Sequence, residues 1–126
     1  MPDLSDIETE ANIQAVVHAF YRGMEDDPIL GSYFAGLDWA AHLPRMVRFW
    51  SSVVFQTGVY RGRPFDVHVQ MPGLERAHFA HWVERFHRTV DGLFSGPRAQ
   101  VMKARAEQIS GVFQVKLGLW TAQESA

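Results

Sequence analysis

Three observations predict an all-α domain. Apolar residues recur at helical spacing in four stretches, residues 13–24, 39–54, 79–94 and 101–117. Helix-breaking punctuation falls between them, at Pro28, Pro72-Gly73 and Ser95-Gly96-Pro97. No segment alternates as a half-buried strand does, and no internal repeat or low-complexity tract occurs.

The elements follow in chain order. Ser5-Asp6-Ile7-Glu8 has the pattern of a capping box, so a short helix is expected within an N-terminal extension over residues 1–11. Asn12 offers a second helix start. Ile13, Val16, Val17, Phe20 and Met24 then make one apolar face, with Tyr21 on its edge. Residues 29–34 suit a short helical turn. Asp38 is placed to cap a helix bearing Trp39, Leu43, Met46, Val47, Trp50, Val53 and Val54. Pro44 would delete the bond to the Ala40 carbonyl, so a kink or restart is expected near His42. Gly58 and Gly62 bracket a loop. Pro64 and Pro72-Gly73 then leave room for about two helical turns with His68 in the middle. A long amphipathic helix carries Phe79, Trp82, Val83, Phe86, Val90 and Phe94 at helical spacing and ends near Gly92. Pro97 opens the last helix, whose face is Val101, Met102, Ala106, Ile109, Val112, Phe113 and Leu117. Residues 121–126 are expected to fray.

Length and composition narrow the function classes. The 126 residues make one domain, large enough to bury its own core. A net charge of −2 gives no footprint for nucleic acid. No apolar run reaches membrane-helix length, and the acidic start lacks the regions of a signal peptide, so the cytoplasm is expected. Cysteine is absent, which removes disulfides, thiolate clusters and covalent haem attachment. Nine Phe, four Trp and three Tyr are many for this length, and a planar apolar ligand would use them.

Several motifs reduce to plain readings. His78 and His81 lie one turn apart but lack the His-Glu-x-x-His order, an acidic partner and a third ligand, so they read as surface or half-buried histidines. Glu25-Asp26-Asp27 reads as a solvated turn. No Gly-rich phosphate loop, nucleophile elbow or carboxylate pair appears, so no catalytic residue is assigned. Tyr21, His42, His68 and Trp82 remain as polar tips on an apolar helical core. Each alone reads equally well as an edge or loop residue.

Taken together the pattern resembles the truncated haemoglobins, group III. The matching residues are Phe20-Tyr21, Phe34, Asp38-Trp39-Ala40-Ala41-His42-Leu43 and Met46 to Val54, which contains Phe49-Trp50-Ser51-Ser52-Val53-Val54. They continue with Thr57-Gly58-Val59-Tyr60-Arg61-Gly62-Arg63-Pro64, His68-Val69-Gln70-Met71-Pro72, His78-Phe79-Ala80-His81-Trp82 and Arg105-Ala106 with Ile109. The match spans about residues 13–117. The Gly-Gly loops of other truncated groups are missing. His81 stands where arginine is common and Met71 where leucine is common, and Pro44 follows the distal histidine position.

The resemblance implies a single truncated-globin domain over residues 1–126, a two-over-two helical sandwich around non-covalent haem b. It implies His68 as the proximal iron ligand, leaving a pentacoordinate iron open to dioxygen and other diatomic ligands. Tyr21, His42 and Trp82 would be the distal polar residues, with His42 either donating a hydrogen bond or gating access. Phe20, Phe34, Met46, Phe49, Trp50 and Phe86 would line the apolar walls, and Arg45 and Arg63 would face the propionates. The implied role is oxygen, nitric oxide or peroxide redox chemistry, with electrons from a separate reductase. The alternative is a non-catalytic oxygen store, carrier or sensor.

Overall fold

The computed structural model describes residues 4–56 and 75–116. Five α-helices occur among them: α1 (Glu10–Tyr21), α2 (Gly31–Phe34), α3 (Trp39–Phe55), α4 (Arg76–Leu93) and α5 (Pro97–Lys116). A 3₁₀ turn, Met24–Asp26, links α1 to α2. Helix α1 packs on α3 and on α4, while α5 packs on α4 and on α3. Two helix pairs thus face each other across one core, and no strand is present among the described residues. The segment holding Arg63 and His68, with its proposed short helix, lies outside the described residues, as do Trp120 and the tail.

The core follows the helical spacing closely at α1. Ile13, Val16, Val17 and Phe20 are all buried, and Met24 continues that surface. Val47, Trp50 and Val54 of α3 meet them, as do Phe86 and Val90 of α4. In α5 the buried face is Ala99, Met102, Ala106 and Phe113, whereas Val101 and Val112 are exposed. The expected face of α5 was therefore too wide.

The first helix does not start where the Ser5–Glu8 pattern places it. Residues 4–8 are not helical, and Thr9 is the N-cap of α1. Asn12 is the third helical residue: its N–H donates to Thr9 Oγ1, and its Oδ1 accepts from the N–H of Glu8 and Thr9. Asp6 instead caps α5. Its carboxylate accepts from Arg98 N–H at 3.0 Å and Ala99 N–H at 2.9 Å. Ser95 N–H donates to Ser5 O, and Arg98 Nη1 to Ile7 O. The extension thereby seats Ile7, fully buried, in the core. Gly96 makes this docking possible, with φ +143° and the Asp6 side chain where a Cβ would stand.

Helix α3 runs from Trp39 to Phe55 with Pro44 inside it, so the expected restart near His42 does not occur. Asp38 explains the difference. Its side chain accepts from Ala41 N–H and its carbonyl from His42 N–H, which holds the first turn in place. Pro44 is exposed, so the Ala40 carbonyl loses its helical donor on the solvent side rather than inside the core.

An N-cap made in trans by a distant residue can be tested directly. Asp6→Ala should lower unfolding free energy by about 1 kcal/mol, the usual worth of a lost cap. Gly96→Ala should also destabilise, because the new Cβ meets the Asp6 side chain. Urea denaturation curves indistinguishable from wild type would show that the extension adds nothing to α5.

Candidate functional site

Two of the three residues expected on the distal side, Tyr21 and His42, meet at the end of α1. Tyr21 is its last residue, and its ring meets His42 at 5.0 Å edge-on, Trp39 at 5.4 Å and Phe34 at 5.9 Å. Trp39 also contacts His42 edge-on and stacks on Phe34. Trp39 is itself tied down, since its Nε1–H donates to Glu25 Oε1. Tyr21 is half-buried. Burial pushes the phenol further above its ordinary pKa, so the hydroxyl keeps its proton and stays a donor.

Phe20 joins this group to the rest of the wall. It contacts Tyr21 at 4.9 Å, Trp82 at 5.8 Å and Phe86 at 5.1 Å, each edge-on. Phe86 stacks between Trp82 and Trp50. Trp50 touches Phe49 edge-on. Leu43, Met46, Phe49 and Val53 of α3 and Trp82 of α4 pack against the core while keeping part of their surface open. Phe20, Trp50 and Phe86 are buried deep in it. Arg45 is exposed on α3 beside Met46. The structure thus brings together Phe20, Tyr21, Phe34, His42, Phe49, Trp50, Trp82 and Phe86. His68 and Arg63 fall outside the described residues.

One functional neighbour was missed in the sequence. Asp27, taken for part of a solvated turn, is buried. Its Oδ1 accepts from the N–H of Ile29 and Leu30, at 2.8 and 2.9 Å. Its Oδ2 lies 2.7 Å from His81 Nε2 and 3.4 Å from Arg85 Nη1. A carboxylate can only accept, so His81 Nε2 carries the proton there. Burial alone would raise the Asp27 pKa, but the bonds from His81, Leu30 and Ile29 outweigh it and hold the carboxyl at about 2. The acidic partner expected to be lacking for His81 is therefore present, 54 residues away in sequence. His78 is engaged elsewhere: Nδ1 accepts from Glu75 N–H at the start of α4, and its ring meets Tyr33. The two histidines serve different partners, and no group of three or more metal-ligating side chains forms among the described residues. No described helix is long and apolar enough to cross a membrane.

No protein-family profile matches the chain. The chain is similar to a curated group 3 truncated haemoglobin from Campylobacter jejuni, 23% identical over 111 residues, which cover 83% of this chain and 87% of the relative. It also superposes on the crystal structure of a group III truncated haemoglobin from Campylobacter jejuni with a TM-score of 0.80. That match has 23% identity and covers 90% of this chain and 94% of the other. The architecture is that of a truncated globin.

The Asp27 cluster links stability to pH. A carboxyl held at about 2 in the folded chain and at its ordinary 3.8 when unfolded stabilises the fold above pH 4. That contribution, about 2 kcal/mol at 1.36 kcal/mol per unit, disappears as pH falls through 2. Between pH 5 and pH 2 the wild type should lose about 2 kcal/mol more unfolding free energy than Asp27→Asn. Equal losses in urea titrations of the two proteins would mean that Asp27 is not held as described.

Proposed function

We propose that this chain uses its truncated-globin fold to hold haem b against the apolar faces of α1, α3 and α4, and to bind dioxygen and other diatomic ligands beside Tyr21, His42 and Trp82. His68 is the proposed proximal ligand, matched by its place between Pro64 and Pro72. The proposed activity is redox chemistry on nitric oxide or peroxide, with electrons from a separate reductase. What supports the reading is the Tyr21 ring set edge-on to His42 at the margin of an aromatic wall, with burial raising the phenol pKa so that the hydroxyl keeps its proton.

The residues fit such a group. Haem is flat and mostly apolar, with a charged rim. Partly open apolar side chains on α3 and α4, backed by Trp50 and Phe86, offer a surface of that character. Phe20, Phe34, Met46 and Phe49 complete the proposed walls. Arg45 is exposed on α3, and Arg63 is its proposed counterpart; guanidinium matches a propionate well. With no cysteine in the chain, attachment would be non-covalent. When bound, haem would be held through the imidazole of His68 and would supply an iron able to bind a small ligand.

The chain's own donors determine which ligands are favoured. Tyr21 O–H donates and cannot ionise at working pH, because burial opposes it. Trp82 Nε1–H can only donate. His42 donates from whichever ring nitrogen is protonated. Phe20 contacts both Tyr21 and Trp82 and makes their surroundings apolar. A hydrogen bond in such a place is stronger than in water. A ligand that takes on negative charge gains from these donors, and carbon monoxide gains little.

The absorption spectrum of the purified protein tests the proposal first. An intense haem band and carbon monoxide binding after reduction are expected, and His68→Ala should lose most of the haem while His78→Ala keeps it. A colourless chain that takes up no added haemin would sink the proposal. Tyr21→Phe removes only a hydroxyl. A hydrogen bond to a charged partner is worth about 1.5–3 kcal/mol, so dioxygen release should rise roughly ten- to a hundred-fold. Carbon monoxide release should change far less. Equal acceleration of both ligands would assign Tyr21 to packing alone. Turnover of nitric oxide or peroxide with an added reductase supports the redox role, and reversible oxygenation without turnover points to storage, transport or sensing.

A further inference from the structure

Resting on that reading, we infer that Arg85, anchored by Asp27, positions the Tyr21 hydroxyl, and that His81 holds Trp82 in register through the same carboxylate. Tyr21 ends α1. The last carbonyls of a helix have no intrahelical donor, and helix ends fray. A hydroxyl that must point at one place from such an end needs an external hold.

Arg85 supplies it. Its Nε and Nη2 donate to Phe20 O at 3.4 and 3.3 Å, and Nη2 donates to Arg22 O at 3.0 Å. The guanidinium thus grips the carbonyls on both sides of Tyr21, and its charge suits the negative end of α1. Immediately beyond, Gly23 turns the chain at φ 73°. The bond from Arg22 N–H to His18 O closes the last turn of α1, and the Arg85 grip adds a second hold on it before that bend. Arg85 is steadied by Asp27 Oδ2 at 3.4 Å. A lysine could not reproduce this, because a point donor cannot span two carbonyls and a carboxylate in one plane.

His81 extends the hold to the second donor. His81 and Arg85 are four residues apart and share a face of α4. Both meet the same Asp27 oxygen. Trp82 follows His81 directly, so turning α4 far enough to release the carboxylate would swing the indole off Phe20 of α1. One buried carboxylate on the α1–α2 connection therefore sets both the end of α1 and the rotation of α4.

The test compares Arg85→Gln, His81→Leu and His81→Gln in the haem-loaded protein, with Arg85→Gln also placed in a Tyr21→Phe background. Release of dioxygen and carbon monoxide and the C–O stretching band of the carbon monoxide complex are the readouts. Arg85→Gln should speed dioxygen release at least fivefold and carbon monoxide release less than twofold, and should spread the C–O band over more than one position. In the Tyr21→Phe background the same substitution should add less than twofold, because its target hydroxyl is gone. His81→Gln keeps a donor for Asp27 and should resemble wild type, unlike His81→Leu. Where Arg85→Gln does not fold, Arg85→Lys carries the same comparison. A lower melting temperature with unchanged band and release rates, or an equal effect with and without the Tyr21 hydroxyl, would overturn the inference. A chain that takes up no haem overturns the preceding proposal instead. The hold is then judged on NMR signals of the Tyr21 ring and Trp82 indole N–H in the purified protein, which should shift or broaden in Arg85→Gln. Unmoved signals would refute it.

Discussion

A carboxylate buried at the corner between α1 and α2 decides how three helices meet. Asp27 Oδ1 collects the N–H groups of Ile29 and Leu30, and the Asp27 carbonyl accepts from Gly31 N–H, which turns the chain into α2. Oδ2 collects His81 and Arg85 from α4. A charge taken out of water is costly unless its partners are all present. The local turn and the docking of α4 are therefore satisfied together or not at all. Gly31 belongs to the same constraint, because a Cβ there would collide with the Glu25 carbonyl of the 3₁₀ turn.

Above this corner the rings divide the work with the donors. Phe86 lies stacked between Trp50 and Trp82, and Phe20 stands edge-on to Phe86, Trp82 and Tyr21. These contacts lock α1, α3 and α4 together through apolar surface, with Tyr21 and Trp82 partly buried at its edge. The rings bring low polarity, which makes each remaining hydrogen bond matter more. The donors bring direction. In the proposed haem site neither would suffice alone, since an apolar wall binds any small neutral ligand and a wet donor competes with water.

What the sequence made legible was what neighbours in the chain decide. The apolar spacing placed α1 and its buried face, Asp38 marked the start of α3, and Pro97 opened α5 at its first residue. Tyr21, His42 and Trp82 were singled out because they interrupt apolar faces with polar tips and match the truncated-globin order. The misreadings share a cause: each concerns a side chain whose partner is distant. Asp6 had the local pattern of a cap for a helix beside it, yet it caps α5 more than ninety residues on. Asp27 sat in an acidic run that looks solvated, because His81 and Arg85 are over fifty residues away. Glu25 likewise bonds Trp39 across a gap that no local pattern reveals. At Pro44 the local rule foretold a kink or a restart, and the capped first turn and an exposed ring leave the helix without a restart.

The choice of an ion cluster at this corner bears on what the corner is for. Replacing a buried ion pair with apolar side chains of similar volume is often neutral or stabilising, so stability is a weak reason for burying Asp27. Apolar contacts, however, tolerate sliding and rotation, because attraction between them has no direction. Hydrogen bonds to a fixed carboxylate do not, and here they come from two side chains one helical turn apart on α4 and from two backbone groups on the connection. Such an arrangement fixes the rotation of α4 and the termination of α1 more narrowly than a patch of leucines would. The donors that gain from narrow placement sit beside it: Trp82 adjoins His81, and the Arg85 guanidinium flanks Tyr21 on both sides. On the inference drawn above, this cluster contributes orientation beyond the stability that its paired charge adds.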